Sequence, residues 1–285
     1  MSSLATDIIS PKSSKTTSSN GPNHEAPGYL VVLAKAGYAA RGLIYLIIGA
    51  LAFLQATGHG GEKTDSKGAV QTLLEAPGGS LLIWILAASL LGYSTWRLVQ
   101  AVTDADRHGR NGKALTIRAG LLISATTHLI LAYSSVKIAL NLGGSSGGSS
   151  ESLVATVMSW PGGPWIVALI GLGIAVAGVA HTMKALEEKY KEHLKMDKTV
   201  MRKLNPICKF GLITRGFSFI VLAGMFLFAS VTQDADEAGG LKDVLITVSD
   251  QVFGPCLLGF LGIGLFAFGI YSLTESVYRK IRYNS

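Results

Sequence analysis

Six stretches of the chain run apolar and nearly free of charge, with short polar segments between them: Leu33–Thr57, Ser80–Val102, Ile117–Leu140, Pro164–Leu186, Ile207–Val231 and Gly254–Val277. A helix needs about 20 such residues to cross the ~30 Å hydrocarbon layer of a bilayer. Most are Leu, Ile, Val, Ala and Gly runs, too long for the core helices of a soluble protein. Each is therefore expected to be a membrane-crossing helix. Between paired runs lie shorter segments with apolar residues at helical spacing: Val70, Leu73, Leu74; Leu153, Val154, Val157, Met158; and Val244, Leu245, Val248. Each breaks at proline and glycine (Pro77-Gly78-Gly79, Pro161-Gly162-Gly163, Gly254-Pro255) before the next long run. These predict brief amphipathic helices on the outer membrane surface.

The pattern repeats three times. Odd-numbered runs open alike, at Lys35-Ala36-Gly37, Arg118-Ala119-Gly120 and Lys209-Phe210-Gly211. Six residues after the lysine, the first and third carry Arg41-Gly42 and Arg215-Gly216, where the second has Ser124. Two crossings return the chain to its starting side, so the copies share one orientation, and their expected relation is a pseudo-threefold axis along the membrane normal. The expected fold is all-α: a six-helix transmembrane bundle of three tandem two-helix repeats, at 29–108, 115–194 and 204–282. Glycines such as Gly171, Gly173, Gly178, Gly259, Gly262, Gly264 and Gly269 are placed to let helix backbones approach.

Composition agrees. Of the 285 residues, 49% are hydrophobic and 15% charged, and mean hydropathy is +0.41, against about 25% charge in an ordinary soluble domain. The net charge of +7 is not a nucleic-acid signature, because the basic residues flank the apolar runs rather than interleave with aromatics. They sort by side. One side holds Lys12 and Lys15, Arg107, Arg110 and Lys113, the Lys189 to Lys203 cluster, and Arg279, Lys280 and Arg282. The other has Lys63, Lys67 and Lys242 among Glu62, Asp65, Glu75, Glu151, Asp234, Asp236, Glu237, Asp243 and Asp250. The positive-inside rule then puts both termini in the cytoplasm, with the bundle in the inner (cytoplasmic) membrane.

The first 28 residues, rich in Ser, Thr, Asn, Pro and Lys, lack a signal peptide's apolar region and read as a disordered cytoplasmic tail. Gly143 to Ser150 reads as a flexible linker. Cys208 and Cys256 fall at opposite membrane faces, too far apart for a disulfide, and are expected to be packing residues.

The stretch from Ala34 to Leu46, with Lys35-Ala36-Gly37-Tyr38-Ala39-Ala40-Arg41-Gly42 and Tyr45, and the Gly92-Tyr93-Ser94-Thr95-Trp96-Arg97 end of the next run are the most distinctive segments. Together they resemble a bacterial membrane-protein family defined as domain of unknown function 1206. The resemblance extends from about Leu33 to Arg282 and is weakest in the second copy, which has Ser124 and His128 where the first has Arg41 and Tyr45. It implies a six-span inner-membrane protein and supplies no catalytic residues.

Ionisable groups inside a membrane are costly, so each calls for a functional hypothesis. Arg41 lies roughly 9 Å deeper than Lys35, and Arg215 matches it beyond Lys209. Arg97 and His181 reach the same cytoplasmic third, where Glu275 supplies an opposite charge. These cations either snorkel to the headgroups or form an inward basic layer, Lys35, Arg41, Arg97, Lys209 and Arg215, that binds an anionic lipid headgroup or small anion. A second candidate is an intramembrane polar site of Ser124, His128, His181 and Glu275. His128, ~16 Å into its span, is expected to hydrogen-bond a neighbouring helix. Its depth differs from that of His181 by ~10 Å, which argues against a shared haem. Lys137 is expected to snorkel outward, and Glu187 to Lys203 to continue as a helix with pairs such as Glu187–Lys191.

No HExxH, phosphate-binding lysine loop or serine–histidine–acid set appears, so neither enzymatic activity nor a metal or cofactor is expected. The expected partner is the phospholipid bilayer, and the expected role a non-enzymatic bundle organising lipid or partner helices. The alternative is a small channel or transporter for an anion or small solute through a basic-lined inner vestibule. An open polar path along the axis would favour transport, and an axis closed by small apolar residues the structural role.

Overall fold

The computed structural model describes residues 24–25, 28–104, 112–142 and 150–283. The N-terminal tail apart from His24–Glu25, the Arg107 and Arg110 loop and the Gly/Ser linker lie outside these residues. Among the described residues are six long apolar helices: α1 (Gly28–Ala56), α3 (Gly79–Thr103), α4 (Gly112–Ala139), α6 (Gly163–Leu186), α7 (Lys198–Thr232) and α9 (Gly254–Tyr278). The amphipathic segments form α2 (Ser66–Glu75), α5 (Ser150–Met158) and α8 (Leu241–Ser249). A two-residue strand, His24–Glu25, pairs antiparallel with Arg282–Tyr283 and ties the two ends of the bundle together.

Local chemistry accounts for the boundaries. Asp65 caps α2 by accepting from the backbone N–H groups of Lys67 and Gly68, both at 2.9 Å. The turns into α3 and α6 need a left-handed residue, which Gly78 (φ 74°) and Gly162 (φ 77°) provide. Pro164 and Pro255 sit in the first turns of α6 and α9, where a missing N–H costs nothing.

The fifth span is longer than its apolar run suggests. Asp197 caps it by accepting from Thr199 N–H at 2.7 Å, a bond that holds the Asp197 carboxyl below its usual range, and the helix continues through Pro206. The charged segment before it does not extend α6 as expected. Glu188 takes a left-handed conformation (φ 54°), and a short 3-10 helix, Lys189–His193, follows. The ion pairs there are Lys189–Glu187 and Lys191–Glu188, not Glu187–Lys191. The break lets Tyr190 turn inward, buried edge-on against Tyr271 at 5.8 Å. Of the two cysteines expected to pack, Cys208 is buried, while Cys256 is exposed on the bundle surface.

The packing order is cyclic. The first helix of each repeat packs on the last helix of the preceding one: α4 on α3, α7 on α6, and α1 on α9. At matching points the backbones come close: Gly42 against Gly269, Gly216 against Gly178, and Ala125, whose carbonyl accepts from Ser94 Oγ at 2.7 Å. Within repeats, α1 also packs on α3 and α7 on α9. The equivalent α4–α6 pair forms no packed interface among the described residues. The largest of three buried apolar clusters fills the middle of the bundle. It runs from Tyr190 and Leu194 at the terminal side, where α1 begins and α9 ends, through Ile48, Leu90, Leu212 and Leu265 to Val70, Leu73, Val244 and Leu245 at the opposite side.

Candidate functional site: a buried basic cluster

The repeated Lys/Arg-x-Gly opening has a local structural role in two copies. Lys35 Nζ donates to the carbonyl of Val277 at 3.2 Å, at the C-terminal end of α9. Arg118 does the same for α3, from Nε to Ala101 O at 2.6 Å and from Nη2 to Val102 O at 3.0 Å. The last carbonyls of a helix have no intrahelical donor and carry the negative end of its dipole, so a cation there stabilises the end. Lys209, the third member, makes no such bond among the described residues. The ammonium of Lys35, expected to face lipid headgroups, is thus committed to a helix terminus.

One step deeper, the structure brings Arg41, Arg97 and Glu275 together. Arg41 is buried, at 8% exposure, rather than extended to the surface. Its Nη2 pairs with Glu275 Oε2 at 2.5 Å, its Nε donates to Ser272 Oγ at 3.1 Å, and its Nη1 donates to Tyr93 OH at 2.6 Å. The second oxygen of Glu275, itself 2% exposed, accepts from Arg279. Both carboxylate oxygens are therefore engaged, as a buried charge requires. Arg97 donates from Nε and Nη2 to the same Tyr93 hydroxyl, the first at 2.8 Å, and from Nη1 to Gln100 Oε1 at 3.1 Å. The Tyr93 oxygen thereby accepts from two guanidinium groups. Aromatic faces complete the environment: the Arg41 guanidinium lies 5.2–5.4 Å from the ring centres of Tyr38, Tyr93 and Phe268.

Arg215 is treated differently. It donates to Tyr45 OH and lies 4.6–4.7 Å from the rings of Tyr45, Phe219 and Phe268, but meets no carboxylate among the described residues. Its Nε is buried without a hydrogen-bond partner. Lys184 Nζ donates to Tyr271 OH at 3.0 Å. The terminal third of the bundle thus holds Arg41, Arg97, Lys184, Arg215 and Arg279, and among the described residues only Arg41 and Arg279 of these pair with a carboxylate, that of Glu275.

His128 and His181 have separate partners. His128 Nδ1 bonds the carbonyl of Ser124 on its own helix at 2.7 Å, not a neighbouring helix as expected, because its ring is turned edge-on to Tyr93 at 4.6 Å. His181 Nδ1 likewise bonds Ala177 O at 2.9 Å and packs on Phe219 at 5.4 Å. A carbonyl can only accept, so each Nδ1 carries a proton. Among the described residues no group of three or more His, Cys, Asp or Glu side chains is arranged to hold a metal. Lys137 stays near the Tyr133 ring, 6.0 Å from its centre.

Sequence reasoning passed over Ser272, Gln100, Lys184 and Arg279. A signal for three residues of this layer existed. Gln100, Lys184 and Glu275 stand at the same distance from the opening glycines of their helices, Gly79, Gly163 and Gly254. By the same count Arg97 matches His181 and Ser272. Aligning the even helices would have exposed one layer holding a neutral amide, a cation and an anion.

Comparison with known proteins agrees with the threefold organisation. The family described as Domain of Unknown Function (DUF1206) matches three consecutive segments, residues 36–104, 119–187 and 210–279. The chain is also similar to an uncharacterized protein, YxxB, of Bacillus subtilis, at 29% identity over 261 residues, covering 90% of this chain and 94% of that one. No solved structure matches. Three family segments, each a pair of membrane-crossing helices in one ring, make this multi-pass membrane protein a member of the DUF1206 family.

Proposed function

We propose that the protein is a non-enzymatic lipid-organising bundle of the inner membrane, with both termini in the cytoplasm, and that its basic layer holds an anionic lipid headgroup. The observation that carries this reading is charge: among the described residues Glu275 pairs with Arg41 and Arg279, while Arg97, Lys184 and Arg215 meet only hydroxyls, an amide and aromatic rings, at a depth where uncompensated charge is expensive. An anionic phosphate group supplies the missing negative charge, and Arg forks match phosphate oxygens. The apolar filling of the interior supports a holding role over conduction, since among the described residues Ile48, Leu90, Leu212 and Leu265 lie in one buried apolar cluster. The bias of Lys and Arg towards the terminal side supports the orientation.

The test is lipid retention. Native mass spectrometry of the detergent-extracted protein should show bound anionic phospholipid in the wild type and its loss from the Arg41→Gln, Arg215→Gln double variant. Retention unchanged by the double substitution would contradict the reading. For orientation, a C-terminal reporter active only in the cytoplasm should be active.

A further inference from the structure

Each crossing between repeats has a counterpart in the others, and two of these counterparts differ in charge. Where α1 crosses α9, Arg41 meets Ser272 and Glu275. In the matching crossing of α7 on α6, the same positions carry Arg215, His181 and Lys184. A cation stands where the first crossing has its carboxylate. Lys184 gives its ammonium to Tyr271. Arg215 keeps a buried Nε without an acceptor, over the Phe219 ring against which His181 also packs.

A second comparison concerns access. In the first and third repeats the paired helices are sealed at small residues: an added Cβ at Gly37 would collide with Tyr93, at Gly211 with Phe268, and at Gly264 with Thr214. The matching positions of the second repeat, Gly120 and Gly173, face open space. Ile123 is 64% exposed, whereas its counterparts Ala40 and Thr214 are 6% and 4%. The bundle therefore opens sideways between α4 and α6.

The geometry points to a phosphate-binding seat at Arg215 and His181, with Lys184 one turn along α6, reached laterally between α4 and α6. It rests on the lipid-holding reading and narrows it to one crossing. A phosphate group accepts from the guanidinium fork and replaces the carboxylate that the Arg41 crossing has built in. The phosphate comes either from an anionic phospholipid, whose chains lie between α4 and α6, or from water as inorganic phosphate.

The test uses the full chain in detergent with two probes, phosphatidylglycerol and inorganic phosphate, read by native mass spectrometry. The wild type should retain phosphatidylglycerol, and Arg215→Gln should weaken retention about tenfold. Gly173→Leu fills the lateral opening without touching Arg215, and it faces open space, so the fold tolerates it; it should also reduce phosphatidylglycerol retention. If inorganic phosphate binds in an Arg215-dependent way and phosphatidylglycerol does not, the seat stands with a soluble ligand and the lipid-holding reading fails. If phosphatidylglycerol is lost from Arg41→Gln but kept by Arg215→Gln, lipid holding stands and this seat is overturned. If neither probe binds the wild type, both fail.

Discussion

Arg41 and Arg215 occupy matching places, six residues after the opening lysines of their repeats, yet their surroundings diverge. Arg41 is engaged at all three of its nitrogens, with its charge met by Glu275. Arg215 has a phenol, three aromatic faces and an orphaned donor. The difference comes from the opposing helix, where Glu275 on α9 is matched by Lys184 on α6. A repeated backbone frame can thus hold its helices in one way at each crossing and carry separate chemistry in each copy.

That contrast can be broken most sharply at Glu275. Replacing it with Gln removes the carboxylate that meets the buried Arg41 guanidinium, and loss of one partner from a buried pair costs about 3–5 kcal/mol. Arg215→Gln should cost close to nothing, because relief of a buried charge offsets the lost bond to Tyr45. Equilibrium unfolding in mixed detergent should therefore show a large loss for Glu275→Gln and almost none for Arg215→Gln; equal losses would erase the distinction.

The next largest effect separates the repeats. Gly37→Leu and Gly211→Leu drive side chains into Tyr93 and Phe268, and overpacking of this kind costs about 1–3 kcal/mol. Gly120→Ala meets nothing and should raise stability by up to about 1 kcal/mol through helix propensity. Stability changes of one sign and size at all three positions would mean that the second repeat is as closed as the others.

The smallest effect sharpens the account of the opening motif. Lys35→Gln and Arg118→Gln remove a cation from a helix C-terminus and should each cost about 0.3–1 kcal/mol. Lys209→Gln, whose lysine makes no matching bond, should be neutral in the same melt.

Much of this architecture was legible in the chain, and the reasons are physical. The length and apolarity of each run fix a membrane crossing almost independently of context, and proline–glycine breaks mark the entry to each even helix. Counting residues inward from Lys35 puts Arg41 one step deeper along its helix, and the structure pairs it with Glu275. What the chain did not disclose was partnership. Arg41 reaches Ser272 and Glu275, more than 200 positions away, because α1 packs on α9 at the closure of the ring, and the order of helices is set by packing rather than by any one helix. Lys35 looked like a headgroup ligand because its depth was readable and its helix-end acceptor was not. Gly120 and Gly173 look like Gly37 and Gly264 in the sequence, whether a neighbour faces them or not.

The openness of the second repeat underlies both the contrast and the lateral route to Arg215, and dipolar electron spin resonance measures it directly. Spin labels would be placed, one pair at a time, at three matched positions near the loop-helix side: Leu54 with Leu82, Lys137 with Ile166, and Phe228 with Leu257. The account predicts similar separations for the first and third pairs and a separation longer by several ångströms for Lys137 with Ile166, approaching a helix diameter of ~10 Å. Three equal separations in the membrane would contradict it.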